Sequence, residues 1–382
     1  MSLEWLGLTD TELIDHHCHG VVRDDLDRPA FEMFITESFW PAPGGTSHFD
    51  SPMGLAVRRW CSPLLDLEPM APAERYMARR LELGAADVNR RLMEATGITE
   101  LLVDTGFTSS MLLSPDEMGA TTGAHVAEIC RIEAVAERLA TTGIGATEFL
   151  ANYPDALRRE SRDSVGFKTI IAYRHGLDFE PERPGDEEAL TSIDRWFSSG
   201  DRSRVTEPII LRWLLWTAID VASEGSLPIQ FHVGYGDGDL ELHRCNPLLM
   251  TRFIRATLDR DVPITLLHCY PYEREAGYLA AVFPNVYFDV GSIVHYTGAE
   301  SHRVISHSLE LSSFHKILFS TDAYALPELY VVGTALFRRG LRQALSSWIA
   351  TGDCTEPDAD RIEAMILAGN ARRIYGTLNV EG

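Results

Sequence analysis

The chain has 382 residues, of which 45% are hydrophobic and 24% are charged, an ordinary composition for a folded protein. Its 34 basic and 56 acidic residues give a net charge of −22, which argues against nucleic acid and anionic lipid as partners. No apolar run approaches the roughly 20 residues needed to cross a bilayer, and we expect no secretory signal. The six scattered cysteines are typical of reduced thiols. We therefore expect a cytoplasmic protein, either a monomer or a homo-oligomer.

Short β-branched or apolar runs recur along the chain, and helical patterns follow most of them. The predicted strands are Glu12–His17, Glu100–Thr105, His125–Glu133, Gly166–Ala172, Pro228–Val233, Pro263–Cys269, Val286–Val290 and Lys316–Thr321. The clearest predicted helices are Arg131–Thr142, Glu207–Glu224, Pro247–Asp259 and Leu326–Ala344. Eight strands alternating with helices predict an α/β fold, a (β/α)8 TIM barrel, with a doubly wound open sheet as the alternative.

The connection after the first predicted strand, residues 20–97, is too long for one barrel helix. It contains several aromatic residues among prolines and glycines, and Ala73–Ala95 reads as one long charged helix. Insertions after barrel strands lie on the catalytic face, so this segment is expected to act as a lid or substrate wall. A scaffold elaboration or an oligomer contact explains the segment equally well. We otherwise expect a single domain over residues 1–382.

The stretch LIDHHCH, residues 13–19, lies at the end of the first predicted strand. Because residues two apart on a strand share a face, His17 and His19 should point together, with Asp15 on their side and His16 opposite. Paired imidazoles suit Zn²⁺, Fe²⁺ or Mn²⁺. Alone the pattern is weak evidence, because a strand-end histidine is more often packed or exposed than bound to a metal.

Four further polar residues lie in or just beyond predicted strands. Lys168 belongs to the fourth strand, and His232, His268 and Asp322 come at the ends of the fifth, sixth and eighth. The carboxyl ends of barrel strands converge on one rim, where active sites are built. A single such histidine is usually a satisfied core residue, but several unpaired groups would each cost several kcal/mol when buried. A shared metal site accounts for all of them together.

This ordered set of motifs resembles the amidohydrolase superfamily. Residues 369–376, GNARRIYG, resemble its amidohydrolase 2 branch. Residues 166–168 and 230–240, with Asn246 and Pro247, resemble the amidohydrolase domain of FluG-like and nodulin–glutamine-synthetase fusion proteins. The resemblance spans nearly the whole chain and implies a metal-dependent enzyme on a TIM barrel.

The resemblance also implies roles for the motif residues. In a single-metal form the ligands are His17, His19, His232 and Asp322. His268 then polarises the substrate or positions the attacking water, and Asp322 also transfers the proton. In a two-metal form, carboxylated Lys168 bridges two ions, and His232 and His268 hold the second. We expect one tightly held divalent metal, zinc before manganese or iron, with Lys168 beside it.

Candidate substrate-binding residues come from three loops. Asp237 and Asp239, in a glycine-rich loop after the fifth strand, could hold a substrate amine, although the loop also reads as a plain turn. Arg174, just past the fourth strand, is a candidate carboxylate clamp or a simple surface arginine. Of the late histidines, only His295 lies where a substrate could reach.

These residues predict hydrolysis of a C–N amide-type bond in a small polar substrate. The FluG-like resemblance implies γ-glutamyl-type amides as one substrate class. Non-oxidative decarboxylation of a small carboxylic acid and uronate-type isomerisation are alternatives on the same site. A non-catalytic barrel that keeps its metal is the alternative from another class, although none of the expected ligands is missing.

Overall fold

The computed structural model describes residues 11–106 and 110–376. Within them, seven strands form one parallel sheet in which every strand pairs with the next along the chain. The strands are β1 (Ile14–Cys18), β2 (Glu100–Asp104), β3 (His125–Arg131), β4 (Ser164–Thr169), β5 (Ile229–His232), β6 (Ile264–Leu267) and β7 (Val286–Phe288). Their side chains are mostly buried, as expected for a parallel sheet with helices packed around it.

Helices fill the connections between the strands. They are α1 (Arg28–Glu32), α2 (Pro52–Trp60), α3 (Ala73–Leu83), α4 (Ala85–Glu94), α5 (Pro115–Thr122), α6 (Ile132–Thr141), α7 (Ala146–Glu160), α8 (Ile171–Arg174), α9 (Asp186–Ser198), α10 (Pro208–Gly225), α11 (Thr251–Ala256), α12 (Glu273–Val282), α13 (Ile293–Thr297), α14 (Ser301–Ser308), α15 (Pro327–Thr351), α16 (Glu356–Ala364) and α17 (Asn370–Tyr375). None of these described helices combines the length and the apolar character of a membrane span.

The predicted eighth strand is not a strand in the described part of the chain. Residues 317–323 instead form an irregular segment between β7 and β1. On one side the Leu318 amide donates to the Phe288 carbonyl at 2.9 Å, and on the other the His16 amide donates to the Phe319 carbonyl at 3.2 Å. The Asp322 amide then donates to the His17 carbonyl at 3.0 Å. Asp322 therefore lies directly beside the carboxyl end of β1.

The long connection after β1 contains α1 to α4, so its largely helical character is confirmed. The prediction of one helix over Ala73–Ala95 is wrong, because Gly84 separates α3 from α4 with φ 80° and ψ 151°. A side chain at that φ would be strained, which makes glycine the natural residue for the break. In α3, Arg80 pairs at 2.8 Å with Glu328 of α15 and is almost fully buried. The insertion is thus tied to the core.

The last described helix, α17, lies against the sheet and contributes to a second apolar core. In α17, Ile374 and Tyr375 pack in one cluster with Ile14 of β1 and Leu102 of β2. The Asn370 side chain donates to the Ile317 carbonyl at 2.7 Å. The C-terminal motif noted in the sequence therefore lies close to β1 and to the segment that carries Asp322.

Candidate metal centre

Two histidines from the end of β1 meet Asp322 at the carboxyl end of the sheet. The His17 Nε2 lies 3.1 Å from Asp322 Oδ1, and the His19 Nε2 lies 3.5 Å from the same oxygen. Asp322 has φ 52°, a left-handed backbone that aspartate tolerates better than most residues. The sequence pairing of His17 with His19 thus corresponds to an actual convergence of side chains.

His232 at the end of β5 and His268 directly after β6 complete the cluster. The His268 Nε2 lies 3.4 Å from Asp322 Oδ2, on the opposite oxygen from His17. The His232 ring centroid lies 5.0 Å from that of His268, and its Nε2 is buried without a hydrogen-bond partner. Potential ligand atoms of His17, His268 and Asp322 lie within 4.8 Å of one another. His268 therefore stands in the same cluster that the sequence assigned to His17, His19, His232 and Asp322.

Burial and mutual charge set the protonation of this cluster. Burial, helped by the Lys168 cation, lowers the pKa of His17 to about 3. Burial lowers the pKa of His232 well below its ordinary value and that of His268 as well. Burial alone would raise the pKa of Asp322, but its histidine neighbours hold it well below the usual range. Neutral imidazoles around an ionised carboxylate are the form in which these groups bind metal.

Lys168 of β4 lies inside the same cluster, with its Nζ 3.4 Å from His17 Nε2. Burial lowers the pKa of Lys168 to about 8, which makes its neutral amine accessible near neutral pH. Nearby, the Asp104 carboxylate at the end of β2 pairs with Arg131 of β3 at 2.5 Å. The His19 Nδ1 lies 3.2 Å from the Asp104 carbonyl oxygen, so the β2 strand orients the second histidine.

A buried polar network beneath the cluster orients His17. The His17 Nδ1 lies 2.8 Å from Gln230 Oε1, and the Gln230 amide donates to Tyr375 Oη at 2.9 Å. The Tyr375 hydroxyl also lies 3.0 Å from His16 Nδ1, whose Nε2 pairs with Asp289 at 2.8 Å. The expectation that His16 points away from His17 is wrong, because β1 shifts register between Asp15 and Cys18 and both rings join this one network.

We predict that Gln230→Leu weakens metal binding by about 10- to 100-fold, because His17 loses the acceptor that fixes its ring orientation. The measurement is metal affinity by competition with a chromogenic chelator. Gln343→Leu, the same change on the exposed side of α15, serves as the matched control and should leave affinity unchanged. Equal affinities in all three proteins would show that the network does not position His17.

The donor set fits a divalent metal ion. Four imidazoles, one ionised carboxylate and a nearby lysine are grouped, and the Nε2 atoms of His17, His19 and His268 lie 3.1 to 3.5 Å from the Asp322 carboxylate. The buried His232 Nε2 has no hydrogen-bond partner among residues 11–106 and 110–376, and an unpaired buried polar atom costs free energy that a ligand would recover. A Cβ at Gly236 would lie 2.2 Å from the Tyr173 hydroxyl and 3.1 Å from that nitrogen, so this close approach of the loop to His232 requires glycine.

A cavity of about 570 Å³ opens beside this cluster and is lined by all four candidate substrate residues. Arg174 donates to Glu137 at 3.1 Å, and its Nε is buried without a partner. Asp237 is half-buried, whereas Asp239 is exposed and lies 3.7 Å from Arg204. His295 is fully buried, and its Nε2 faces Gly333 of α15, where a Cβ would lie only 2.6 Å away.

The sequence analysis missed several cavity residues, above all Glu37. This residue lies in the insertion after β1, and its carboxylate accepts a hydrogen bond from Tyr296 Oη at 2.6 Å. Burial, with the nearby Asp322 and Asp237 charges, raises the pKa of Glu37 to about 7. No periodicity or strand end marked Glu37. The insertion therefore supplies part of the cavity wall, since Phe39 also lines it.

Glu37 should make the stability of the ligand-free protein depend on pH. Because its folded pKa of about 7 lies above the ordinary 4.5, the native state holds the extra proton between these values, and stability falls as pH rises through that window. We predict that Glu37→Gln is more stable than the wild type at pH 8 and similar to it at pH 4.5, as measured by urea unfolding. The exposed Glu241→Gln should show no such difference.

Histidines, an ionised aspartate and a lysine gathered at the carboxyl ends of parallel strands are the arrangement typical of metal-dependent enzymes built on α/β barrels. The chain matches the amidohydrolase family model (Amidohydro_2) over residues 133–377. This protein belongs to the amidohydrolase family. The first-strand histidines lie outside the matched range, although the structure brings them to the same cluster.

Relatives outside the family model agree with this assignment. The chain is 28% identical to Protein fluG of Emericella nidulans over 95% of its own length, and it spans 45% of that protein. It is also similar, with 28% identity, 96% coverage of both chains and a TM-score of 0.85, to a Lactobacillus casei ATCC 334 protein provisionally designated a metal-dependent hydrolase. A glucuronate isomerase from Caulobacter crescentus is 15% identical, with a TM-score of 0.64 over 98% of this chain and 93% of the isomerase chain. At this identity the similarity shows only a shared fold.

Proposed function

We propose that this protein is a metal-dependent hydrolase that cleaves a C–N amide-type bond of a small polar substrate, with γ-glutamyl-type amides as the substrate class. One observation carries the proposal. The Asp322 carboxylate lies 3.1 to 3.5 Å from the Nε2 atoms of three histidines beside a 570 Å³ cavity. Membership of the amidohydrolase family and the similarity to the Lactobacillus casei protein support hydrolysis.

The residues that would hold the metal are His17, His19, His232 and Asp322, with His268 and Lys168 beside them. We infer Zn²⁺ as the ion, since imidazole and carboxylate ligands suit it, with manganese and iron as alternatives. When bound, such an ion would lower the pKa of water to about 7 and so supply a nucleophile at neutral pH. A two-ion form would require carboxylation of Lys168, whose neutral amine the lowered pKa makes available.

The protein's own groups would carry the remaining chemistry. Asp322 is ionised at neutral pH and is the residue placed to accept the proton of the attacking water. The same proton then passes to the leaving nitrogen, so that water and amide give a carboxylic acid and an amine. The His268 imidazole is neutral and buried, and we assign it to polarising the substrate carbonyl.

We also infer that residues 317–322 close the sheet into a barrel of eight members. The support is hydrogen bonding to β7 on one side and to β1 on the other, together with a parallel bridge between Phe288 and Ile317. In such a barrel, residues 20–97 form a wall over the carboxyl ends of the strands, which agrees with the position of Glu37 and Phe39 in the cavity lining.

The test combines metal analysis of the purified protein with a substrate screen. We expect stoichiometric bound divalent metal and release of p-nitroaniline from γ-glutamyl-p-nitroanilide, with loss of turnover after chelation and recovery on adding Zn²⁺. A parallel screen of aromatic and enol carboxylic acids measures CO₂. Release of CO₂ without hydrolysis of any amide would refute the hydrolase in favour of the decarboxylase.

A further inference from the structure

The charges that line the cavity are paired unevenly. Glu137 pairs with Arg174, Asp239 lies near Arg204, and Asp322 is surrounded by histidines. The charged groups that act most strongly on Glu37 are Asp322 and Asp237, both acidic, and its hydrogen-bond partner is the neutral Tyr296. Among the described cavity residues, Glu37 and Asp237 therefore form an acidic corner: no cation is among the charges that act most strongly on Glu37, and Arg204, which acts on Asp237, is shared with Asp239.

The same corner carries two independent features that suit a cationic ligand. His295 is fully buried in the lining of the same cavity, and its Nε2 has no hydrogen-bond partner among the described residues; its ring lies 6.4 Å from that of Tyr296, the donor to Glu37. The Tyr235 and Tyr296 rings lie 5.3 Å apart in the cavity lining. Aromatic faces attract a desolvated ammonium group, and carboxylates bind it through charge-assisted hydrogen bonds.

We propose that Glu37, together with Asp237, binds a protonated amine of the substrate, and that this amine is the α-ammonium of an amino-acid-type acyl group. The inference rests on the proposed function, because it identifies the acyl half of a γ-glutamyl-type amide. Arg174 lines the same cavity, and its buried Nε has no hydrogen-bond partner among the described residues. We assign Arg174 to donating hydrogen bonds to the α-carboxylate. Glu37 is thus a specificity-determining residue supplied by the insertion.

The test compares two ligands that differ only in the amine, L-glutamate and glutarate, by isothermal titration calorimetry on the purified protein with its metal. We expect the wild type to bind L-glutamate about 10- to 100-fold more tightly than glutarate, the range expected of a charge-assisted hydrogen bond. In Glu37→Gln, which keeps the shape and can still accept from Tyr296, this preference should fall below threefold while glutarate affinity stays unchanged. The exposed Glu241→Gln should behave as the wild type.

Three results would overturn the inference: equal affinities of the two ligands in the wild type, a retained preference in Glu37→Gln, or no binding of L-glutamate. An equal loss of both affinities in Glu37→Gln would also overturn it, since that pattern reports a merely structural role. A measured preference for L-glutamate in a protein that hydrolyses no amide would refute the proposed hydrolysis and support amine recognition. The two ideas therefore fail separately.

Discussion

Asp322→Asn is expected to reduce kcat for an amide substrate by about 10²- to 10⁴-fold, the contribution typical of a positioned proton-transfer group. The amide of asparagine keeps the shape of the carboxylate and one oxygen for coordination, but it cannot accept the proton of the attacking water. In the wild type, the neighbouring His268, His17 and His19 hold the pKa of Asp322 well below its usual range, so the base is ionised at neutral and alkaline pH. The loss should therefore persist across neutral and alkaline pH.

The control for this change is Asp261→Asn. Asp261 is exposed and has φ 54°, close to the φ of 52° at Asp322, so both substitutions place asparagine in the same left-handed backbone. Asp261→Asn should keep full activity. Metal content measured on both variants separates a chemical defect from loss of the ion. Full activity of Asp322→Asn with bound metal would remove Asp322 from the proton-transfer role.

The sequence predicted most of the strands and the convergence of the polar residues at their ends. It did not predict which residues form the wall of the cavity beside those ends. Continuous apolar runs ending in His232 and His268 identify strands whose ends must share an edge, whatever the details of packing. The eighth run bonds to both neighbours but forms a single bridge to β7, and the Thr321 amide donates to the Asp15 carboxylate instead of a backbone carbonyl, so no regular ladder develops. Alternation placed His17 and His19 together, but a register shift in β1 also brought His16 into their network.

The cavity wall could not be predicted in the same way, because it depends on contacts between segments far apart in sequence. Glu37 meets Tyr296 across 259 residues, and neither lies in a repeating pattern. The strand that contains Gln230 can be predicted from the sequence. The hydrogen bond from Gln230 to Tyr375 cannot, because Tyr375 lies 145 residues away in α17. The sequence also cannot show that Glu37 lacks a cationic partner within the described part of the chain. That depends on where the cavity arginines lie, and Arg174 pairs with Glu137 while Arg204 lies near Asp239.

His17→Ala is expected to lower metal affinity by more than the 10- to 100-fold typical of an outer-shell change, and to abolish turnover. His17 is the residue that touches most of the centre, with contacts to Asp322, Lys168 and Gln230. Its removal leaves the remaining ligands without the group around which they are arranged. The measurement is metal content after dialysis by mass spectrometry, with circular dichroism to verify folding and the exposed His243→Ala as the matched control. A folded His17→Ala protein that retained one metal ion per chain would place the ion elsewhere in the cavity, because the β1 histidines and Asp322 would then not share it.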